Sequence, residues 1–137
     1  MPPLSPNLTL DEANRIIAGA IAKAQELKVK IAVAVCDPGG RLLAFQRMDG
    51  AFYGTVYGSQ GKAAASAAFA RPSGDLQERA ATPIISGIIR ADGDRIIPSQ
   101  GAMPIFRDGV LIGACGIGGA APQQDEECAK AGVSLLS

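Results

Sequence analysis

GACGIGGAAPQQDEE occupies residues 113–127. Within it Gly116, Gly118 and Ala121 spell G-x-G-x-x-A, the spacing of a dinucleotide-binding loop when it joins a strand to a helix. The run before it, VLIGACGI at 110–117, is apolar throughout and reads as a strand buried on both faces. Pro122 suits the first turn of a helix, and Asp125, Glu126 and Glu127 suit its positive end. The local reading is strand, glycine turn, helix. A Rossmann unit also needs a following parallel strand and an acidic residue about 20 positions on. Only one helix fits after Ala121, so the dinucleotide reading is set aside. Either the glycines simply allow a sharp turn, or the Gly118 and Gly119 amides, with the helix N-terminus, face a small anion.

The partner of this strand is expected in IAVAVC, residues 31–36, the other wholly apolar run. Asp37-Pro38-Gly39-Gly40 is a turn. RLLAFQRM, 41–48, returns as a less buried strand because it carries Gln46 and Arg47. AMPIF, 102–106, holds Pro104 and therefore belongs near an edge. Asp108-Gly109 after it is a hairpin turn. The two apolar runs should lie side by side at the centre of an antiparallel sheet, with helices mainly on one face.

Three further segments complete the reading. Thr9 and Glu12 form a capping box, followed by Leu10, Ala13, Ile17, Ala20, Ala24 and Leu27 at helical spacing, which predicts an amphipathic helix of about five turns. A Gly- and Ala-rich helix runs from about Gly54 to Ala70, ended by Pro72. Gly54, Gly58 and Gly61 each cost it about 1 kcal/mol relative to Ala, which points to close approach of the sheet or of a second subunit. Ser73 starts a short helix through Ala80; 81–90 reads as strand or helix; RIIPSQ, 95–100, reads as a short edge strand.

The 137 residues suit one domain, 1–137. Hydrophobic residues make up 47% and aromatic residues 4%, so the core must be aliphatic and closely packed. Lys plus Arg and Asp plus Glu both number 13, and no basic run stands out, which argues against nucleic acid. No stretch reads as a signal peptide or a membrane span, and three cysteines without C-x-x-C fit reduced thiols; a cytoplasmic protein is expected. The absence of histidine removes His-based metal sites and triads. No metal site is expected.

Chemistry then rests on few groups. Asp125 shares a helical face with Cys128, Ala129, Gly132 and Leu136 and so points inward, either as a helix-start charge or as a general acid or base. Lys62, with Thr55, Ser59 and Ser66 on the more polar side of the middle helix, is either solvated or placed for a carboxylate ligand. Met48-Asp49-Gly50-Ala51 follows a strand end, a common place for function. Cys36 and Cys115 read as small hydrophobes.

Five segments, in order, resemble the GlcG/HbpS family, which includes the C-terminal domain of PduO-type proteins. They are LTLDEANRIIAGAIAKA, VAVCDPGGRLLAFQRMDGA, Lys62-Ala63, MPIFRDGVLIGACGIGGA and QQDEECAKAG. The resemblance implies an α/β domain of α+β type, profilin-like or PAS-like, with a five-stranded antiparallel sheet and helices packed on it. It also implies a homo-oligomer and, for some members, haem. An axial haem ligand is usually His, Cys, Met or Tyr. Here only Met48, Tyr53, Tyr57, Met103 or a cysteine is left for that role.

Three functions are consistent with this. One is an oligomeric small-ligand-binding protein, related to haem or accessory to small-molecule catabolism, with Met48, Gly50, Tyr53, Gly118 and Gly119 around the ligand. Another is a lyase, tautomerase or hydratase acting on a small carboxylate or carbonyl metabolite through Lys62 and Asp125 or Asp49. The third is an assembly protein whose Gly/Ala helix makes the contact.

Overall fold

A computed structural model describes residues 7–136 of the chain. The elements are α1 (Leu10–Leu27), β1 (Ala32–Cys36), β2 (Leu42–Arg47), α2 (Thr55–Phe69), a 3₁₀ turn (Ser73–Arg79), α3 (Pro83–Ala91), β3 (Ala102–Arg107), β4 (Val110–Gly118) and α4 (Pro122–Val133), followed by a 3₁₀ turn at Ser134–Leu136. The lead-in before Asn7 lies outside the described residues.

The sheet is antiparallel throughout, in the order β2-β1-β4-β3. The two wholly apolar runs are therefore adjacent at its centre, and the strands carrying Gln46 and Pro104 are at its edges. The Asp108-Gly109 hairpin forms with both turn residues at positive φ, 52° and 77°, the geometry a two-residue turn requires.

Two expectations are corrected, and the strand-or-helix reading of 81–90 resolves to helix. The sheet has four strands among the described residues, not five. RIIPSQ is not a strand: the Ile97 N–H bonds to the Gly61 carbonyl at 3.0 Å, so this segment is tied to a helix instead of a ladder. Residues 83–91 form a helix, with Ile85 buried and Ile88 and Ile89 half-buried beside Leu76 and Ile96.

Helices cover both faces instead of mainly one. Ile16, Ile17, Ala20 and Ala24 of α1 and Cys128 and Ala129 of α4 pack on Val33, Val35, Cys115 and Ile117. Each large aliphatic side chain buried there contributes about 1.5–3 kcal/mol. The Thr9–Glu12 capping box closes the start of α1, with N–H to oxygen distances of 3.1 and 3.0 Å. On the opposite face the layer is thin: Ala63 and Ala67 of α2 meet Ala34, Cys36 and Ala114. This thinness explains the glycines. A methyl at Gly116 would overlap the Ser59 carbonyl and the Ala63 amide, and one at Gly118 would stand 3.3 Å from the Ser59 nitrogen. Of the helix glycines, Gly61 lies against Ile97, whereas Gly58 faces open space. The side of α2 that looked polar is turned inward: Thr55, Ser59 and Ser66 are buried, and their hydroxyls donate to the Phe52, Thr55 and Arg71 carbonyls at 2.7 Å. The helix lies over β4 and β1 and leaves the same side of β2 largely uncovered.

Candidate functional site

The residues singled out from sequence gather at one end of the sheet, where β1 begins and β2 and β4 end. The Met48 N–H donates to the Ile31 carbonyl at 2.9 Å, and the Ile31 N–H points at the Met48 sulfur at 3.4 Å. Gly50, at φ 88°, packs on the Lys30 side chain; Gly119, at φ 122°, sits beneath the Lys30 carbonyl. Met48, Asp49, Gly50 and Tyr53 line a depression of about 410 Å³ with Arg47 and Ala51. Gly118 belongs to β4, paired with Ala32 and buried, so only Gly119 is in the turn.

Lys62 and Asp125 meet, although they sit on helices packed on opposite faces of the sheet. β3 starts only at Ala102, and the Ile117 N–H is bonded to the Gly101 carbonyl. Beyond that rung Lys62 Nζ passes the sheet and donates to the Ile117 carbonyl and to Asp125 Oδ2, both at 2.9 Å. Asp125 Oδ1 accepts the Ala120 N–H at 2.9 Å. The side chains of Lys62 and Asp125 are 12% and 2% exposed. Gly101, at φ 141°, fits against the pair; a methyl there would stand 2.9 Å from Lys62 Nζ. Burial raises the Asp125 carboxyl above the usual carboxylate range, against the opposing pull of Lys62 and the Ala120 amide. The pair is thus a closed clasp between α2, β4 and α4. Asp49 is not part of it and stands exposed in the turn after β2.

An open surface lies along the uncovered side of β2. Leu42 is paired with Cys36, and Phe45 with Ala34, on the side facing α2. Tyr57, Gln60 and Ala64 of α2 line a groove of about 310 Å³ with Gly40, Asp94, Arg95 and Ile97. Through Gly40 and Gln60 it joins a smaller hollow that reaches Cys36 and Leu42. Both tyrosines and one of the four phenylalanines are exposed at the head of α2: Phe52 at 64%, Tyr53 at 80% and Tyr57 at 76%. The Arg47 guanidinium lies over the Tyr53 ring, 5.1 Å from its centroid, a cation–π contact. Arg95 pairs with Asp92 at 2.8 Å on the far rim. Of these residues Gln60, Arg95, Leu42 and Phe45 were not expected from sequence. The available signal was three exposed-side aromatics within residues 52–57 of an aromatic-poor chain.

The thiols are closed to a ligand. Burial pushes the Cys36 thiol up to about 12, raises Cys115 still more, and holds Cys128 at about 11 with help from the Asp125 and Glu127 charges. Met48 and Met103 pack against the core. No cluster of three or more His, Cys, Asp or Glu that could hold a metal occurs among the described residues. No helix among them is long and apolar enough to cross a membrane.

The fold and sequence are shared with known proteins. The family model described as haem degrading protein HbpS-like matches residues 8–134. GlcG of Escherichia coli K12 is 32% identical over 113 residues, 80% of each chain. A crystal structure of Streptomyces reticuli HbpS, as a double mutant, superposes with a TM-score of 0.86 at 27% identity, covering 97% of this chain and 89% of that one. The PduOC–haem complex has the same fold, with a TM-score of 0.84 at 24% identity, covering 93% and 94%. The apolar strand pair, the clasped glycine turn and these matches over nearly the full length lead to one conclusion: the chain belongs to the GlcG/HbpS family, the HbpS-like proteins.

Proposed function

We propose that this protein binds a planar anionic ligand of the haem class on the open side of β2, between that strand and the outer face of α2. The observation that carries the reading is the exposure of Phe52, Tyr53 and Tyr57 beside a mostly apolar groove whose rim bears Arg95, paired with Asp92, and Asp94. A cluster of exposed aromatic side chains, unlike a single one, marks a surface that a ligand or partner covers. Arg95 and Arg47 supply charge for carboxylates, and Leu42 and Phe45 supply a flat apolar floor.

The donor set fits haem in one way. With histidine absent and the thiols protonated and buried, a phenol is the axial donor on this groove, and Tyr ligation of haem iron is an established mode. Tyr57 lines the groove; Tyr53 lies under Arg47 at the neighbouring depression. When bound, haem would supply iron-centred redox chemistry. This chain would supply the Tyr57 oxygen to the metal, the Arg95 guanidinium and Gln60 amide to propionates, and apolar cover from Leu42 and Phe45. The Lys62–Asp125 clasp, with both carboxylate oxygens and two of the three ammonium hydrogens engaged, acts in this reading as a support for α2.

The test is a titration of the purified protein with haemin. A saturable Soret shift is expected, with the charge-transfer bands of a phenolate-ligated ferric haem, lost in Tyr57→Phe. Affinity should drop in Arg95→Ala. No Soret change at roughly micromolar protein and haemin, the upper range for a specific small-ligand site, would refute the proposal.

A further inference from the structure

We propose that Met48 is a site of sulfoxidation, where a hydroperoxide turns a weak hydrogen-bond acceptor at the end of the β1–β2 ladder into a strong one. Ile31 and Met48 stand opposite each other, next along from the Ala32–Arg47 pair. In a regular antiparallel ladder such a pair exchanges both backbone hydrogen bonds. Here the Met48 N–H donates to the Ile31 carbonyl at 2.9 Å, but the return bond is missing. The Met48 carbonyl accepts the Ala51 N–H at 3.1 Å instead, as the chain turns toward α2. The Ile31 N–H is left with the Met48 sulfur, at 3.4 Å. A thioether is a weak acceptor, and Ile31 is fully buried, so bulk water does not make up the difference.

Met48 is also within reach of a small oxidant. It is half-buried and lines the open depression of about 410 Å³ with Arg47, Asp49 and Tyr53. Met103 packs against the core as well, but lines neither this depression nor the groove beside Tyr57. In the step, a sulfur lone pair attacks one peroxide oxygen and the O–O bond breaks. That oxygen stays on sulfur, and its proton passes to the other oxygen, which leaves as water or an alcohol. Sulfur is oxidised by two electrons and the peroxide is reduced by two. Sulfoxide formation in a core ordinarily disrupts it by placing a polar oxygen among apolar groups. Here the oxygen meets an under-satisfied buried donor. Rotation of the flexible Met48 side chain brings the S=O oxygen to the Ile31 N–H at ordinary hydrogen-bond length. The missing rung is then filled, and the Asp49–Gly50 turn that leads to Phe52 and Tyr53 is held more firmly. This inference does not require the haem reading.

The test treats the purified full chain with hydrogen peroxide, follows oxidation by peptide mass spectrometry and follows Ile31 amide exchange by NMR. Met48 is expected to gain one oxygen at least about fivefold faster than Met103, with native circular dichroism retained. In protein oxidised at Met48 the Ile31 amide should exchange about tenfold more slowly than before, because its acceptor is stronger. Met48→Gln, which offers an amide carbonyl in place of the sulfoxide oxygen, should slow the exchange without peroxide. Met48→Leu, which offers no acceptor, should speed it. Faster Ile31 exchange after oxidation would overturn the inference, since the oxygen would then disturb the ladder end instead of completing it. So would oxidation of Met103 ahead of Met48.

Discussion

Replacing Lys62 with Met should destabilise the protein far more than a surface lysine would. The substitution keeps most of the side-chain volume and removes the charge. It leaves Asp125, 2% exposed, with only the Ala120 N–H, and it leaves the Ile117 carbonyl without the ammonium. Breaking a buried ion pair from one side costs about 3–5 kcal/mol, whereas losing an exposed pair costs about 0–1. Lys62 retains slight access to water, which argues for the lower end, about 3 kcal/mol. With a urea slope of about 1–3 kcal/mol/M for a domain of this size, the midpoint should fall by about 1–3 M. Asp125→Asn keeps an acceptor for Ala120 and should cost less. The double variant should cost less than the sum of the two, the signature of coupled groups. The pH dependence has a definite sign. A carboxyl whose folded pKa is raised binds more protons when folded than when unfolded, so its ionisation lowers stability as pH rises. Without Lys62, Asp125 loses its main stabilising partner and its pKa rises further. The Lys62→Met penalty should therefore shrink on going from neutral to acid pH. A penalty below about 1 kcal/mol at pH 7, flat with pH, would refute the clasp and return Lys62 to the role of a free cation.

Gly116→Ala should cost about 2–3 kcal/mol in the same urea assay, because the methyl meets helix backbone that cannot move alone; a neutral result would contradict the close approach of α2. Glu12 bonds Arg107 and the Thr9 amide, which hold its carboxyl below the usual range. Its contribution is present above the ordinary carboxylate pKa and lost as pH falls through the lowered folded value, so Glu12→Gln should cost about 1 kcal/mol at pH 7 and progressively less as pH falls, measured by thermal melts across that range. The three thiols should react with a disulfide reagent only on unfolding, since burial keeps them protonated; fast reaction of any one in native buffer would contradict that.

The backbone plan was legible because its signals are local. All-apolar runs at 31–36 and 110–117 belong at a sheet centre whatever surrounds them, and Thr9, Glu12, Asp108 and Gly109 act through neighbours a few positions away. Residues 95–100 were misread because Ile-Ile-Pro resembles an edge strand, while its actual partner, the Gly61 carbonyl, lies on a helix distant in sequence. The side of α2 was misread for the same reason. Ser59 and Ser66 look polar, but hydroxyls that bond back to their own helix can be buried against a thin layer of Ala and Gly. Lys62 and Asp125 were each legible as exceptional, one as a lone lysine and the other as an inward acid. Their meeting was not, because it depends on where β3 stops short of the end of β4. The arginine and aromatic groove escaped notice because Gly40, Tyr57 and Arg95 come from three separate segments.

The central claim is the location of the ligand. It is tested most directly by amide NMR shifts of ¹⁵N-labelled protein titrated with gallium protoporphyrin, a diamagnetic analogue of haem. The account predicts saturable shifts centred on Leu42, Phe45, Tyr57, Gln60 and Arg95, with Ile117, Ala120 and Asp125 little changed. Shifts centred on the Lys62–Asp125 end, or none at saturating porphyrin, would contradict it.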